Sequence, residues 1–179
     1  MRCTWCNEKN EKYVKYHDEE WGSLVFDERY LFEMLLLESF QAGLSWECVL
    51  NKRENFRFAF DGFDAEKIAK YGDDKISELL ENKGIIRNKR KILAAINNAS
   101  VFLKIEKEFG TFRAYLFSFT GEEVFFEWDR TTSPLSDAIS LDLKKRGMKF
   151  VGSTVIYSFL QAIGIVNSHE PGCFLYREK

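Results

Sequence analysis

The chain has 179 residues, of which 45% are hydrophobic and 16% aromatic, so it is long enough to fold alone around its own core. It contains no apolar run of about 18 residues, and its N-terminus lacks a signal-peptide pattern, so we expect a bacterial cytoplasmic protein with no membrane partner. The formal net charge of -2 argues mildly against a nucleic-acid partner, although a small net charge can hide basic patches.

The hydrophobic pattern predicts an all-α fold, because only two prolines occur and no long stretch alternates between apolar and polar residues. The predicted helices cover residues 28–40, 46–60, 65–70, 74–82, 89–108, 112–119, 135–146 and 154–163. The boundary signals are Ser45 as an N-cap, Asp73 or Asp74 as another, Ser133 with Pro134 at a third helix start, and Gly84, Gly110, Gly147 and Gly164 at four helix ends. The stretch 120–132 is expected to hold a brief extended piece, and no repeat or linker divides the chain.

Both ends of the chain carry residues that zinc prefers as ligands. Cys3 and His17 lie near the start, and His169 and Cys173 lie near the end. Two thiolates and two imidazoles form the closed tetrahedral set typical of a structural zinc site, which would tie the two ends together. Cys6 is a competing ligand, either in place of Cys3 or paired with it as Cys-x-x-Cys. The alternative is that these histidines are ordinary polar residues and the cysteines are small hydrophobic ones.

The stretch 38–46 combines a carboxylate, a small flexible corner and an indole within nine positions. The helix that leads into it, 28–40, is apolar on nearly every face, which is typical of a helix buried all round. Glu38 therefore enters the interior, where its helical neighbours are apolar and do not neutralise it. Either Glu38 forms an ion pair with a distant Lys or Arg, or it serves a functional site.

Residues 76–90 predict two helices joined by a tight turn. Gly84 is predicted to be the left-handed residue that ends the first helix, with Ile85 and Ile86 packing back on both helices. Such a turn points backbone N–H groups outward, which suits a DNA phosphate. Two groups of basic residues are available for this role: Lys83, Arg87, Lys89, Arg90 and Lys91, then Lys144, Lys145, Arg146 and Lys149. The alternatives are a plain helix–helix connection and solvated helix faces.

Several sequence blocks together carry a family resemblance. The most specific are Tyr-His-Asp-x-x-Trp-Gly at 16–22 and Gln-Ala-Gly-Leu-Ser-Trp at 41–46. The others are Trp5, Tyr13, residues 31–34, Glu38, residues 52–54, residues 84–87 and residues 143–152. With these blocks the chain resembles, nearly end to end, the DNA-3-methyladenine glycosylase I family of the helix-hairpin-helix DNA glycosylase superfamily.

The resemblance implies one glycosylase domain over residues 1–179 with two closely packed helical lobes. The chain ends and the zinc site form one lobe, and the central helices with the hairpin form the other. It assigns the structural zinc to Cys3, His17, His169 and Cys173, which favours Cys3 over Cys6. The partners it implies are double-stranded DNA with alkylated bases and free 3-methyladenine as the product, and we expect a monomer.

The resemblance also implies roles for individual residues. Tyr16 and Trp46 hold the flipped base between their rings, Trp21, Trp5 and Tyr13 lie nearby, and Glu38 is the catalytic carboxylate that reads the base edge. Leu44 is the wedge that fills the gap left by the flipped nucleotide. The other DNA-binding residues are Gln41, Gly43, Gly84, Ile86, Arg87, Lys89 and Lys149. Phe40 departs from the family pattern, in which a polar residue is expected at this position. The departure bears on the contacts to the opposite DNA strand.

The expected activity is hydrolysis of the N-glycosidic bond of 3-methyladenine, which leaves an intact abasic site. No Asp lies between Asp74 and Asp129, and the resemblance implies no Schiff-base lysine, so no lyase activity is expected. Two alternatives remain: a glycosylase for another alkylated base such as 3-methylguanine, and a DNA-binding relative without turnover. The presence of Glu38 argues against the second, because a pure binder gains nothing from a buried charge.

Overall fold

The computed structural model describes residues 1–178 and is mostly helical. Over that range the elements are α1 (Glu11–Glu19), α2 (Glu28–Gln41), α3 (Trp46–Leu50), α4 (Arg53–Ala59), α5 (Ala65–Ile68), α6 (Asp73–Glu81), α7 (Lys89–Phe109), α8 (Phe112–Thr120), β1 (Phe125–Phe126), α9 (Pro134–Lys145), α10 (Ser153–Ala162) and β2 (Val166–Asn167). A single turn of 3₁₀-helix at Asp61–Phe63 follows α4. Within residues 1–178 no helix combines the length and the apolar character that crossing a membrane requires.

The all-α prediction needs one correction, because β1 and β2 form a small parallel sheet. Phe125 lies opposite Val166, and Phe126 lies opposite Asn167. The extended piece expected within 120–132 is therefore confirmed, whereas its partner after α10 was not predicted. Strands of two residues are too short to show the alternation by which a strand is predicted from sequence.

The helix predictions were wrong in two places. The predicted helix 46–60 is interrupted, since α3 ends at Leu50 and α4 begins at Arg53. After the interruption, Nε of Arg53 donates a hydrogen bond to Oε1 of Glu33 at 2.6 Å. Helix α1 was not predicted, and its N-cap is Asn10, whose side chain accepts a hydrogen bond from the backbone N–H of Lys12.

Most of the predicted helix boundaries are confirmed. Ser45 caps α3, and Ser133 with Ser136 forms a capping box at α9, where Pro134 is the first residue. Gly110, Gly147 and Gly164 have the positive φ angles expected after helix ends. The predicted cap at Asp73 or Asp74 was wrong, because Gly72 occupies the N-cap and both carboxylates lie in the first turn of α6.

Gly84 does not adopt the left-handed conformation that the sequence predicts. Helix α6 ends at Glu81, and its C-cap Asn82 is extended. A Cβ atom at Gly84 would lie 3.0 Å from Oδ1 of Asn82 and 3.1 Å from Cβ of Asn55. Glycine is therefore needed here for close packing of the loop 82–88 against α4, and not for its φ angle.

Helix α2 forms the centre of the core, as its apolar sequence predicts. Its residues from Leu31 to Phe40 are all buried, and α3, α7, α8 and α10 pack around it. A second, smaller cluster joins the two ends of the chain and contains Cys3, Tyr13, Tyr16, Trp21, Leu50 and Cys173. Trp46 packs against both clusters, so the corner between α2 and α3 lies where they meet.

Candidate active site

A cavity of about 360 Å³ opens between the two hydrophobic clusters. Seven residues that the sequence analysis singled out line it: Trp5, Tyr13, Tyr16, Trp21, Glu38, Gln41 and Trp46. The side chains come from α1, the end of α2, the start of α3 and the N-terminal loop. The fold thus brings the aromatic residues around Glu38, one of two carboxylates that α2 carries into the interior.

Glu38 is buried without any neutralising partner. Glu38 is only 3% exposed, and its Oε2 has no hydrogen-bond partner. Burial alone raises the pKa of Glu38 to about 8. No ion pair within residues 1–178 involves Glu38, so the alternative of a structural ion pair is excluded for the described chain. A buried carboxylate that faces a cavity is typical of a functional site.

The indole of Trp46 also carries an unpaired polar atom. Its Nε1 is buried and has no hydrogen-bond partner, as is the case for Oε2 of Glu38. Each buried polar atom without a partner costs about 1–3 kcal/mol. Two side chains that line the cavity thus carry one unpaired donor and one unpaired acceptor.

The rings of Tyr16 and Trp46 contact each other. Their centroids are 5.2 Å apart and their planes are inclined by 48°. A flat base between two parallel rings needs about 7 Å, since each face requires a separation of about 3.5 Å. Tyr16 is only 2% exposed, whereas Trp46 is half-buried at the first residue of the short helix α3. Trp46 is therefore the ring that must move if a base is to lie between the two.

Trp5 forms the opposite aromatic wall. Its ring centroid lies 4.7 Å from that of Trp21 and 5.3 Å from that of Tyr13. Trp21 in turn lies 4.7 Å from the ring of His169 in an edge-on arrangement. The wall is thus held in place by the residues that join the two ends of the chain.

Seven further residues line the cavity and were missed by the sequence analysis. They are Asp129, Arg130, Thr131, Ser158, Gln161, Ser168 and Glu170. Three of them lie in the loop between β1 and α9, and two lie on α10. No local pattern marks these polar residues, because the β1–β2 pairing and the packing of α10 on α2 bring them to the cavity.

The corner 42–45 lies beside the cavity and connects α2 to α3. Gly43 has a φ of +80°, and a Cβ atom there would meet no atom within 4 Å, so only the backbone conformation requires glycine. The backbone N–H of Leu44 donates to the carbonyl oxygen of Gln41 at 2.6 Å. The side chain of Leu44 is 42% exposed, which leaves an apolar group in solvent next to the aromatic cavity.

The loop 82–88 joins α6 to α7 and presents basic side chains to solvent. Arg87 and Lys89 are exposed, while Ile86 packs against the core. The amide Nδ2 of Asn55 donates to the carbonyl oxygen of Gly84 at 3.3 Å, which ties the loop to α4. Lys149 is also exposed, in the loop 147–152 between α9 and α10.

Two basic residues and one aromatic residue of the predicted DNA surface face the protein instead. Lys91 is 8% exposed, and its Nζ donates to the carbonyl oxygens of Phe40 at 2.7 Å and Ala42 at 2.6 Å. The guanidinium of Arg146 forms ion pairs with the carboxylates of Asp142 and Glu108. The side chain of Phe40 is buried in the core. These groups are therefore not part of the solvent-exposed basic surface.

Four ligand-type side chains from the two ends of the chain converge beside the aromatic wall. One ligand atom from each of Cys3, His17, His169 and Cys173 lies within 4.8 Å of all the others. Sγ of Cys3 is 3.4 Å from Nδ1 of His169, and Sγ of Cys173 is 3.5 Å from Nε2 of His17. The thiol of Cys6 instead points to the carbonyl oxygen of Tyr13 at 3.8 Å. The cluster contains Cys3 and not Cys6.

The surroundings of this cluster orient both imidazoles. Nδ1 of His17 lies 2.8 Å from Oδ1 of Asp18, and Nε2 of His169 lies 3.2 Å from the carbonyl oxygen of Trp21. The other nitrogen of each ring is thereby directed toward the sulfur atoms, as in proteins whose histidines bind a metal. Backbone N–H groups of Glu170 and Leu175 point to the sulfur atoms of Cys3 and Cys173. The donor set fits a tetrahedral zinc ion.

The mostly helical fold thus places an aromatic cavity with a buried carboxylate beside an exposed apolar corner. The methyladenine glycosylase family model matches residues 5–176. DNA-3-methyladenine glycosylase 1 of Escherichia coli (strain K12) is 44% identical over 181 residues, which cover 98% of this chain and 96% of that protein.

Solved structures agree with this comparison. The crystal structure of a 3-methyladenine DNA glycosylase I (TAG) is similar with a TM-score of 0.93 at 44% identity, covering 99% of this chain and 100% of that chain. A Y16F variant of 3-methyladenine DNA glycosylase I in complex with 3-methyladenine has a TM-score of 0.91 at 34% identity, covering 97% and 96%. The chain belongs to the methyladenine glycosylase family, and the resemblance seen in its sequence is confirmed.

Proposed function

We propose that this protein hydrolyses the N-glycosidic bond of 3-methyladenine in alkylated double-stranded DNA and so begins base excision repair. The family membership supports this function, as does the bound 3-methyladenine in one solved relative. The observation that carries it is the unpaired carboxylate of Glu38 in a cavity lined by aromatic rings. The products are free 3-methyladenine and an abasic site.

The chemistry asks little of the enzyme beyond extracting and holding the base. Methylation at N3 gives the attached adenine a positive charge, which weakens the bond between N9 and C1′. When that bond breaks, its electron pair goes to the base, which leaves as a neutral molecule. The oxygen of a water molecule bonds to C1′, and the proton that it loses goes to solvent. No protein nucleophile is needed, so the strand stays intact.

Glu38 provides the selectivity for the methylated base. With a pKa raised to about 8 by burial, its carboxyl group is largely protonated near neutral pH when no cation is present. A cationic base in the cavity stabilises the carboxylate, whereas neutral adenine supplies no opposing charge. The carboxylate also accepts a hydrogen bond from the exocyclic amine of the base. Binding energy is thus reserved for the alkylated nucleotide.

The aromatic residues hold the base once it has left the helix. Trp46 moves away from Tyr16 so that the base enters between the two rings, and Trp5, Tyr13 and Trp21 close the opposite side. Each good contact between a cationic purine and a ring contributes about 0.5–2 kcal/mol. Burial makes the hydroxyl of Tyr16 hard to ionise, since its pKa is raised well above the usual value.

The corner 42–45 and the loop 82–88 hold the DNA. Leu44 enters the gap left by the flipped nucleotide, flanked by Gln41 and Gly43. The connection between α6 and α7 acts as the helix-hairpin-helix element, in which the phosphate contacts come from Gly84, Ile86, Arg87 and Lys89. Lys149 adds a charge from the loop 147–152.

We also propose that a structural zinc ion joins the two ends of the chain. Its ligands would be Cys3, His17, His169 and Cys173. The support is the donor set and the hydrogen bonds that orient both imidazoles. With four protein ligands the ion has no position for substrate, so its contribution is structural. It holds Trp21 and the N-terminal loop, and through them the wall formed by Trp5.

The test is incubation of the protein with alkylated double-stranded DNA, followed by chromatography of the released bases and electrophoresis of the strand. We expect free 3-methyladenine, an abasic strand without scission, and no covalent adduct after borohydride treatment. Release of 3-methylguanine alone would assign the cavity to that base. DNA binding without release of any base would identify a non-catalytic relative, and a trapped adduct would contradict the hydrolytic mechanism.

A further inference from the structure

Lys91 is a buried lysine that the activity described above does not use. It is the third residue of α7, and it is 8% exposed. Its Nζ makes hydrogen bonds of 2.7 and 2.6 Å to the carbonyl oxygens of Phe40 and Ala42. No ion pair within the described chain involves it, although a buried lysine usually has an acidic partner. Burial lowers the pKa of Lys91, so the protein accepts a cost to keep the ammonium group at this place.

The two carbonyl oxygens belong to the end of α2, directly between Glu38 and the exposed corner. Carbonyl groups at the last turn of a helix have no partner within the helix, and a positive charge there also interacts favourably with the helix dipole. Within the corner, the backbone N–H of Leu44 donates to Gln41 and Ser45 caps α3, but both contacts are local. The side chain of Leu44 is 42% exposed. The two hydrogen bonds from Lys91 therefore join the region of this corner to a distant helix, α7.

Lys91 also connects to the other segments of the proposed DNA surface. Its backbone N–H donates to Oδ1 of Asn88, the residue that ends the loop 82–88 and caps α7. Its Nζ lies 5.9 Å from the ring centroid of Phe150, next to Lys149. On the same helix, the side chain of Asn98 exchanges two hydrogen bonds of 2.8 Å with the backbone of Lys149. The ammonium group of Lys91 thus binds the corner and lies near Phe150, while the backbone of the same residue is bonded to the end of the loop 82–88.

We infer that Lys91 is a positioning residue that holds the corner 42–45 in register with the loop 82–88, so that phosphate binding and insertion of Leu44 occur together. This inference rests on the proposed function. Lys91 is not a phosphate ligand, since its Nζ is buried and two of its three donors bind carbonyl oxygens. It is not a nucleophile either, because it does not line the cavity that holds Glu38.

The experiment compares Lys91→Met with Lys104→Met, which removes an exposed lysine from the same helix away from the site. The affinity for abasic DNA is measured over a range of salt concentrations. Binding of free 3-methyladenine is measured by tryptophan fluorescence, and the excision rate is measured under single-turnover conditions. We expect Lys91→Met to lose roughly tenfold or more in abasic-DNA affinity and in excision rate. Binding of the free base and the dependence of log affinity on log salt should match the wild type, as should every property of Lys104→Met.

The salt dependence separates a positioning role from a phosphate contact. A lost phosphate contact reduces the slope by about 0.9, which is the result expected for Lys89→Met and not for Lys91→Met. Leu44→Ala supplies a second test, because the double variant with Lys91→Met should bind abasic DNA no more weakly than the weaker single variant. A reduced slope, additive losses, or a parallel loss of free-base affinity would each overturn the inference.

A conservative variant covers the case in which Lys91→Met does not fold. Lys91→Arg keeps the charge, but its larger planar group with fixed donor directions cannot occupy the buried space of the ammonium unchanged, so we expect an intermediate excision rate with an unchanged salt slope. A wild-type rate for Lys91→Arg would overturn the inference. If the wild-type protein releases no base, the proposed function fails, whereas the comparison of abasic-DNA affinities still tests Lys91.

Discussion

Glu38 shows how a single residue acquires its function from its surroundings. A glutamate on an exposed helix face would be ionised at neutral pH and would not distinguish one base from another. Within α2 it lies among apolar side chains, with Oε2 unpaired and a pKa raised to about 8. The same burial that makes the charge costly makes the carboxylate sensitive to a cation in the cavity.

Glu38→Gln tests the selectivity assigned to this charge. The amide keeps the shape but cannot oppose the positive charge of the methylated base, so excision should fall at least tenfold, equivalent to about 1.4 kcal/mol or more. Binding to abasic DNA, which involves Leu44 and the basic loop, should stay within about twofold of the wild type. Single-turnover excision and fluorescence anisotropy measure the two effects. A normal excision rate for this variant would show that the carboxylate of Glu38 does not provide the selectivity.

Glu38→Gln also changes how stability depends on pH. The pKa of this carboxyl group is near 4.5 when unfolded and about 8 when folded. Its contribution to stability is therefore fully present below pH 4.5 and is lost as the pH rises through 8. The neutral variant should gain stability relative to the wild type by at most about 1.4 kcal/mol per pH unit across this window. Urea unfolding from pH 5 to about 9 measures the difference, and a constant difference would contradict the raised pKa.

At the scale of elements, Arg53 joins three segments around the site. It lies at the first residue of α4 and is 6% exposed. Its guanidinium donates to Glu33 on α2 at 2.6 Å and to Glu20 at the end of α1 at 2.7 Å. These contacts fix α1, which carries Tyr16, against α2, which carries Glu38. The break between α3 and α4 is what allows Arg53 to reach both carboxylates.

Arg53→Leu should therefore destabilise the protein strongly. Removal of the guanidinium leaves Glu33 paired only with the partly exposed Arg57 and leaves Glu20 without an ion pair, which costs about 1–3 kcal/mol. Arg57→Leu is the matched control, because Arg57 also contacts Glu33 but its side chain is 40% exposed, and its loss should cost less than about 1 kcal/mol. Urea unfolding of both variants gives the comparison. Equal losses would show that burial of the Arg53 ion pairs is not the deciding factor.

At the scale of the whole molecule, the distribution of charge matters more than the net charge of -2. The basic residues that remain exposed are Lys83, Arg87, Lys89, Arg90, Lys144, Lys145 and Lys149. Lys91 and Arg146 do not belong to this set because they make contacts within the protein. The basic surface is therefore smaller than the sequence suggests.

This surface predicts that DNA affinity falls steeply as salt rises. Each phosphate that is neutralised contributes about 0.9 to the slope of log affinity against log salt. Contacts from the loop 82–88 and from Lys149 should give a slope of about 3 or more in magnitude. Titrations of abasic DNA between about 50 and 200 mM salt measure it. A flat response would mean that these residues are only solvated surface.

Zinc removal provides the second test at this scale. One zinc ion per chain is expected by elemental analysis, and chelation should lower the melting temperature because the ion would fix both ends of the chain at once. Cys173→Ser should lose the metal, whereas Cys6→Ser should retain it, since Cys6 lies outside the cluster. Metal-free wild-type protein whose stability is unchanged by chelation would contradict the proposal.

The sequence alone determined the features that depend on neighbouring residues. Apolar residues on every face of one helix predicted the burial of Glu38, because helical periodicity is local. Ser45 and Ser133 predicted the helix starts for the same reason, since a cap bonds to the N–H only three residues further on. The blocks at 16–22 and 41–46 were specific enough to predict the family, and with it half of the residues that line the cavity.

Only the tertiary structure decided how distant charges pair. Lys91 and Arg146 appear in basic runs, and nothing near them in sequence shows that one binds carbonyl groups at the end of α2 and the other contacts Glu108. The loop at 129–131 reaches the cavity through the β1–β2 pairing, which joins segments some forty residues apart in numbering. Such contacts depend on how the whole chain packs, because the free energy of burying a charge is set by every group that surrounds it.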